Sequence, residues 1–231
     1  MTRKLVVEAI GTFFLILTVG LTVLGTGAGA LAPLAIGAVL MVMVYAGGHI
    51  SGAHYNPAVT LAVLLRGRTT VRELAGYWAA HLVAAVLAAI AVRALLPEDV
   101  RVLAADRDAL DVIIAEFLFT FALVYVVLNT ATTEGTKGNS YYGLAIGLTV
   151  TAGAYAVGPV SGAVFNPAVA LGAALLGMAE FGEMILLIVV QLIAGVAGAF
   201  LFRGLDLGDD KPTTATRREQ TGLRGAAEPG V

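Results

Sequence analysis

A long internal repeat constrains the fold of this 231-residue chain more than any other feature. Residues 51–61 and 161–171 are identical at eight of eleven positions, and each copy contains Ser-Gly-Ala followed closely by Asn-Pro-Ala. Self-similarity of this kind means that one structural unit is used twice. The sequence therefore predicts two related halves, with repeat one at about 4–96 and repeat two at about 109–203.

Apolar segments long enough to cross a bilayer occupy most of both halves. The chain is 58% hydrophobic and 13% charged, which leaves too few charged side chains to cover a water-facing surface. A membrane helix needs roughly 20 mainly apolar residues. Six such segments are predicted, at 4–25, 31–50, 71–96, 109–130, 139–158 and 181–203. They indicate an all-α membrane protein whose partner is the lipid bilayer.

Two further apolar stretches, 56–66 and 166–176, are too short to cross, and each begins at Asn-Pro. Proline fits the first turn of a helix and disrupts its interior. Each stretch is therefore predicted to be a half-helix that follows a re-entrant loop. Because each half has three spans, the second half must enter the membrane from the opposite side, which gives an inverted 3+3 repeat. The two half-helices are then expected to meet near the midplane.

The distribution of basic residues predicts the orientation. With both termini in the cytoplasm, seven Lys and Arg residues outside the tail lie inside and three lie outside, as the positive-inside rule requires. The polar tail 204–231 is expected to be disordered cytoplasmic sequence, and residues 1–203 to form one domain in the cell membrane. A cleaved signal peptide ending near Ala28-Gly29-Ala30 is the alternative for the N-terminus, but Glu8 interrupts its apolar run.

Composition argues against several function classes. A net charge of −2 argues against a nucleic-acid partner, and the absence of cysteine excludes disulfides, thiolate metal sites and cysteine nucleophiles. Three histidines and few carboxylates leave little material for a metal site. No nucleophile, base and orienting group occur together, so neither an enzyme nor a cofactor is expected.

The re-entrant segments predict a pore, because non-helical backbone at membrane depth is stable only where it is buried or lines a wet cavity. Asn56 and Asn166, at the half-helix N-termini, are expected to cap their helices and to donate side-chain N–H groups to solutes. The positive helix ends are expected to exclude protons and cations. The alternative is that both residues are N-caps and nothing more. Backbone carbonyls are expected to line the pore at Gly52, Ala53, His54, Tyr55, Gly162, Ala163, Val164 and Phe165.

Several polar residues are interpreted as support for the re-entrant loops. Glu8 and Glu116 are carboxylates within spans and are expected to accept loop N–H groups, although a carboxylate at that depth also suggests function. His49 and His54 are expected to hydrogen-bond loop backbone. His81 is expected to bond a loop carbonyl, with titration as a gate as the alternative.

Paired Asn-Pro-Ala motifs in an inverted repeat resemble those of the aquaporins, members of the major intrinsic protein family, over roughly residues 4–203. The resemblance implies a homotetramer with one pore per subunit and a loop-supporting role for Glu8 and Glu116. It implies a pore midplane at Asn56, Pro57, Ala58, Asn166, Pro167 and Ala168. It also implies a four-residue selectivity filter at Ile36, Ala154, Ala163 and Val169, where Val169 replaces the Arg that most members carry.

A filter of Ile, Ala, Ala and Val is wide, apolar and uncharged. The chain is therefore expected to be a passive channel for water and small uncharged solutes such as glycerol, urea or arsenous acid. The last solute follows from similarity to Arg-lacking bacterial members of the family. Without the Arg, cation exclusion is expected to depend more on the half-helix dipoles and on the cost of desolvating an ion in an apolar ring. A coupled secondary transporter and a structural protein with a closed pore are the alternatives, although the predicted centre lacks a transporter's ionisable pair.

Overall fold

The computed structural model describes residues 1–25, 27–97, 100 and 107–208. Within these residues the chain forms eight α-helices and no β-strand. Six helices are long and apolar enough to cross a bilayer: α1 (Thr2–Leu24), α2 (Ala32–Ser51), α4 (Val71–Leu95), α5 (Ala109–Ala131), α6 (Tyr142–Ser161) and α8 (Phe181–Gly204). The short elements are the half-helices α3 (Pro57–Leu65) and α7 (Pro167–Leu176) and 3-10 turns at Gly29–Leu31 and Glu134–Thr136. The predicted all-α architecture is confirmed.

Every helix begins and ends within three residues of its predicted bounds, and the largest difference is in α6. This span, predicted at 139–158, runs Tyr142–Ser161 and carries Pro159 in its last turn. It ends because Gly162 has a φ of 85°, just as Gly52 ends α2 with a φ of 91°. A left-handed residue after a helix favours glycine. The repeat therefore determines where α6 ends, and the proline does not.

Helix starts follow local sequence signals. Thr70 and Glu73 form a capping box at α4, in which each side chain accepts from the other's backbone N–H at 3.2 Å. Asp108 caps α5 by accepting from the N–H groups of Leu110 and Asp111. These bonds satisfy donors that a helix N-terminus otherwise leaves unpaired.

The two halves of the chain pack in matching pairs. Helix α1 packs against α2 and α4, and α5 packs against α6 and α8 in the same way. Helices α2 and α6 cross between the halves, where a Cβ built on either Gly37 or Gly147 would lie 2.5 Å from the other residue's carbonyl oxygen. Half-helix α3 packs on α8 and α7 packs on α4, so each half-helix is held by the opposite half.

The outside of the bundle is apolar and its polar side chains are inside. Val83 and Ile90 of α4 are 57% and 61% exposed, which suits a hydrocarbon surrounding. By contrast, Glu8, Glu116 and other polar residues near the half-helices are completely buried. The predicted tail beyond Gly208 lies outside the described residues, and so do 98–99 and 101–106 in the connection between α4 and α5.

Candidate functional site: the meeting point of the half-helices

Half-helices α3 and α7 begin side by side in the centre of the molecule. Asn56 donates from Nδ2 to the carbonyl oxygen of Phe165 at 2.9 Å. Asn166 donates from Nδ2 to the carbonyl oxygen of Tyr55, also at 2.9 Å. These two reciprocal hydrogen bonds join the halves of the chain at the residues that begin the half-helices.

Both asparagines also cap their own helices. Asn56 Oδ1 accepts from the N–H groups of Ala58 at 2.8 Å and Val59 at 3.4 Å, and Asn166 Oδ1 accepts from Ala168 at 2.9 Å. A primary amide carries two N–H donors. One is used across the repeat, and within the described residues the second has no acceptor. Each side chain therefore does more than cap a helix.

The buried carboxylate of Glu8 holds the first re-entrant loop. Its Oε1 accepts from Ser51 Oγ at 2.6 Å and from the N–H of His54 at 3.0 Å. Its Oε2 accepts from the N–H of Tyr55 at 2.7 Å and lies 2.8 Å from His81 Nε2. Loop N–H groups that have no helical partner are thereby satisfied away from water.

The second half repeats this arrangement with one difference. Glu116 Oε1 accepts from Ser161 Oγ at 2.7 Å and from the N–H of Val164 at 2.9 Å. Its Oε2 accepts from the N–H of Phe165 at 2.8 Å and from Gln191 Nε2 at 2.8 Å. Gln191 therefore occupies the place that His81 takes in the first half.

The loops held by these carboxylates are in a conformation that side chains disfavour. Ala53 and Ala163 both have a φ of 52°, and Tyr55 and Phe165 have φ values of 48° and 49°. Left-handed backbone costs a residue with a side chain roughly 1–2 kcal/mol. The carboxylates stabilise this backbone at equivalent positions in both halves.

Two cavities lie on either side of the half-helix tips. The first has a volume of about 470 Å³ and is lined by all four predicted filter residues, Ile36, Ala154, Ala163 and Val169. The second, of about 490 Å³, has polar walls that include Lys4, Glu73 and several threonines. Each of the eight residues predicted to supply pore carbonyls lines at least one cavity.

Four residues line both cavities and therefore lie where the two are adjacent: Ala53, His54, Val127 and Ile146. The last two come from α5 and α6, and sequence reasoning missed them because they belong to ordinary apolar spans. Their position beside both cavities depends on how these helices pack, which no local pattern reveals.

The histidines differ from their predicted contacts. His49 is exposed and makes no hydrogen bond to any described residue, so the expected loop support is not observed. The ring of His54 lies 3.2 Å from Thr60 Oγ1, and only its backbone N–H belongs to the loop network. His81 contacts the carboxylate of Glu8 instead of a loop carbonyl and lines neither cavity. Within the described residues, no group of three potential metal ligands is present.

Arg107 lines the first cavity and was not predicted to do so. It lies just before α5, and its Nη1 donates to Glu183 Oε1 in the first turn of α8 at 2.7 Å. Its Nη2 lies 3.4 Å from the position that a Cβ on Gly162 would take. Among the described residues that line this cavity, Arg107 is the only Asp, Glu, Lys or Arg. Its sequence position, in a connection between spans, does not reveal that it turns inward.

Comparisons with known proteins identify relatives along nearly the whole chain. Residues 1–202 match the family model described as "Major intrinsic protein". Aquaporin NIP1-1 of Oryza sativa subsp. japonica is 37% identical over 210 residues, which cover 87% of this chain and 73% of the relative. Nodulin-26 of Glycine max is 33% identical over 235 residues, which cover 97% of this chain and 85% of the relative. The solved structure of the aquaglyceroporin from Plasmodium falciparum shares the fold, with a TM-score of 0.74, 18% identity and coverage of 87% of this chain and 95% of that chain.

Proposed function

Because this chain belongs to the major intrinsic protein family and is a membrane channel for water and small neutral solutes, not an enzyme, we propose that it favours neutral solutes larger than water. The observation that carries this proposal is that Ile36, Ala154, Ala163 and Val169, the residues proposed as the filter ring, all line the first cavity. Small aliphatic side chains leave room for a solute and offer no donors to a single water. The proposed solutes are glycerol, urea and neutral metalloid hydroxides such as arsenous acid.

The proposed barrier to protons and ions lies where α3 and α7 meet. Each half-helix N-terminus carries about half a positive charge. Asn56-Pro57-Ala58 and Asn166-Pro167-Ala168 bring these two ends to one point, and each Asn has one N–H without an acceptor among the described residues. Donors at that point orient a passing water through its oxygen, so that it does not relay a proton onward.

The proposed setting is the cell membrane, with both termini cytoplasmic and four subunits per assembly. The excess of Lys and Arg on the proposed inner side, seven against three outside the tail, supports this orientation. The tetramer is proposed from family resemblance. Chemical cross-linking of the detergent-solubilised protein tests it, since a ladder that stops at the dimer contradicts the proposal.

A charge added to the filter tests the proposed solute preference. Stopped-flow light scattering on proteoliposomes measures the flux of water, glycerol, urea and arsenous acid for the wild type, Val169→Arg and Val169→Leu. We expect Val169→Arg to reduce glycerol and urea flux about tenfold more than water flux, because the guanidinium fills the ring and supplies donors. Val169→Leu adds bulk without charge and is the matched control.

Two results would overturn the proposal. If no solute crosses the wild-type vesicles faster than empty liposomes, the chain is not an open channel under these conditions. If Val169→Arg leaves the order of the solute fluxes unchanged, the filter ring does not determine which solutes pass.

A further inference from the structure

We infer that Arg107 supplies, in the wall of the first cavity, the positive charge that the filter position Val169 lacks, and that Glu183 positions it. The inference rests on the proposed function, since it assigns a specificity-determining residue to the same conduit. It adds a second barrier to cations, beside the one proposed at the half-helix N-termini. The charge comes from the chain segment before α5 and not from the half-helix that carries Val169.

The guanidinium of Arg107 lies flat against the second re-entrant loop. Its Nη2, Cζ and Nη1 atoms are 3.4, 3.6 and 3.9 Å from the position that a Cβ on Gly162 would take. Gly162 itself has a φ of 85°, a conformation that side chains rarely adopt. The guanidinium of Arg107 therefore lies directly beside the glycine that ends α6.

Glu183, the acidic partner of Arg107, occupies a position that the internal repeat relates to Glu73. Glu183 lies 110 residues after Glu73, the same separation that relates Asn56 to Asn166. Glu73 pairs with Lys4 at 2.6 Å near the other end of the molecule. Each half thus places a Glu in the first turn of its last long helix, where it binds a basic residue.

The two pairs differ in how far they are shielded from water. The side chains of Arg107 and Glu183 are 18% and 16% exposed, whereas Lys4 is 42% exposed. A charge with less water around it acts more strongly on ions nearby. Arg107 lines the cavity and Glu183 does not, so the ion pair presents its positive member to the conduit. A cation that enters the cavity meets that charge, while a neutral solute meets an N–H donor.

Removal of this charge in reconstituted protein tests the inference. Sodium entry into proteoliposomes is followed with an entrapped sodium-sensitive dye, and glycerol and urea flux is measured on the same vesicles. We expect Arg107→Gln to raise sodium entry about tenfold while solute flux persists. Arg107→Lys, which keeps the charge, is expected to retain exclusion. Arg93→Gln is the matched control, because Arg93 is exposed, bonds to the Leu175 carbonyl and does not line the cavity.

A second substitution separates charge from packing. Val169→Arg in the Arg107→Gln background returns a guanidinium to the same cavity and is expected to restore sodium exclusion. Glu183→Gln leaves the arginine charged but without its anionic partner, and we expect sodium entry between the wild type and Arg107→Gln. Equal sodium entry for the wild type, Arg107→Gln and Arg93→Gln overturns the inference.

Folding and transport are controlled separately. If Arg107→Gln does not reconstitute as folded protein, Arg107→Met takes its place, and its sodium entry is compared with that of the wild type and of Arg93→Gln. Failure of both variants to fold overturns the inference, since the pair is then a requirement of stability. If even the wild type passes no solute, the proposed function is refuted. If Arg107→Gln vesicles pass glycerol and urea but admit no more sodium than the wild type, only the inference about Arg107 is refuted.

Discussion

Glu8 and Glu116 each satisfy, with a single side chain, loop N–H groups that regular secondary structure leaves unpaired. Each carboxylate contacts one serine hydroxyl, two consecutive backbone N–H groups and one side chain of α4 or α8. Charge-assisted hydrogen bonds are stronger than neutral ones, and they gain strength where water is absent. Two residues therefore keep strained backbone in place beside the conduit.

Glu116→Gln is expected to lower the apparent free energy of unfolding by about 3 kcal/mol. The amide has one acceptor oxygen for the four present donors, and in either orientation its NH₂ group faces a loop N–H, of Val164 or Phe165, that cannot accept. Thermal unfolding in detergent, followed by far-UV circular dichroism, measures the effect. Glu134→Gln, at an exposed ion pair, is the control and is expected to change stability by less than about 1 kcal/mol. Equal melting temperatures for the two variants would contradict the assigned role of Glu116.

Sequence alone predicted which carboxylates lie near the loops but not every contact around them. Glu8 and Glu116 stand out because a charge inside a span needs a partner. A histidine has two ring nitrogens and several reachable acceptors, so its contact depends on tertiary neighbours. His81 accordingly lies against Glu8, while His49 faces outward. Arg107 escaped prediction because its role depends on the path of a connecting segment.

At the scale of elements, the internal repeat predicts where a helix ends better than rules for single residues do. Proline disfavours a helix interior, yet α6 passes through Pro159 and ends at the position equivalent to the end of α2. Both helices end where a serine bonds to the loop carboxylate and a glycine turns the chain. The half-helices were predictable because Asn-Pro marks their starts, whereas the pairing of α2 with α6 required the inverted symmetry.

Close contact of α2 and α6 predicts that added bulk at their crossing is destabilising. In Gly147→Ala the new methyl group would lie 2.5 Å from the carbonyl oxygen of Gly37 and 2.6 Å from Met41 Cβ, so the helices must separate. We expect a loss of about 2 kcal/mol, measured as a lower melting temperature in detergent. Gly182→Ala in α8 meets nothing within 4 Å and is expected to be neutral or slightly stabilising. If Gly147→Ala melts no lower than Gly182→Ala, the crossing is not tightly packed.

For the whole molecule, the main requirement on the fold is that the two re-entrant loops, whose backbone lacks helical hydrogen bonds, lie inside the helix bundle. Apolar side chains face outward, the two loops lie at the centre, and cavities reach them from two sides. The existence of a conduit follows from sequence, because broken helices at that depth need a wet neighbour. The position of Val127 and Ile146 beside both cavities does not follow, since it depends on how α5 and α6 pack.

The route through the molecule also predicts which engineered thiols will block transport. The chain has no cysteine, so a membrane-impermeant organic mercurial is expected to leave wild-type solute flux unchanged. Ala154→Cys places a thiol in the wall of the first cavity, and mercurial addition is expected to reduce glycerol flux several-fold, with recovery after reduction. Val83→Cys, on the exposed face of α4, adds a thiol away from the conduit and is expected to have no effect. Full flux through mercurial-treated Ala154→Cys would mean that solutes do not pass through this cavity, and inhibition of the wild type would contradict the expectation that the reagent needs a thiol.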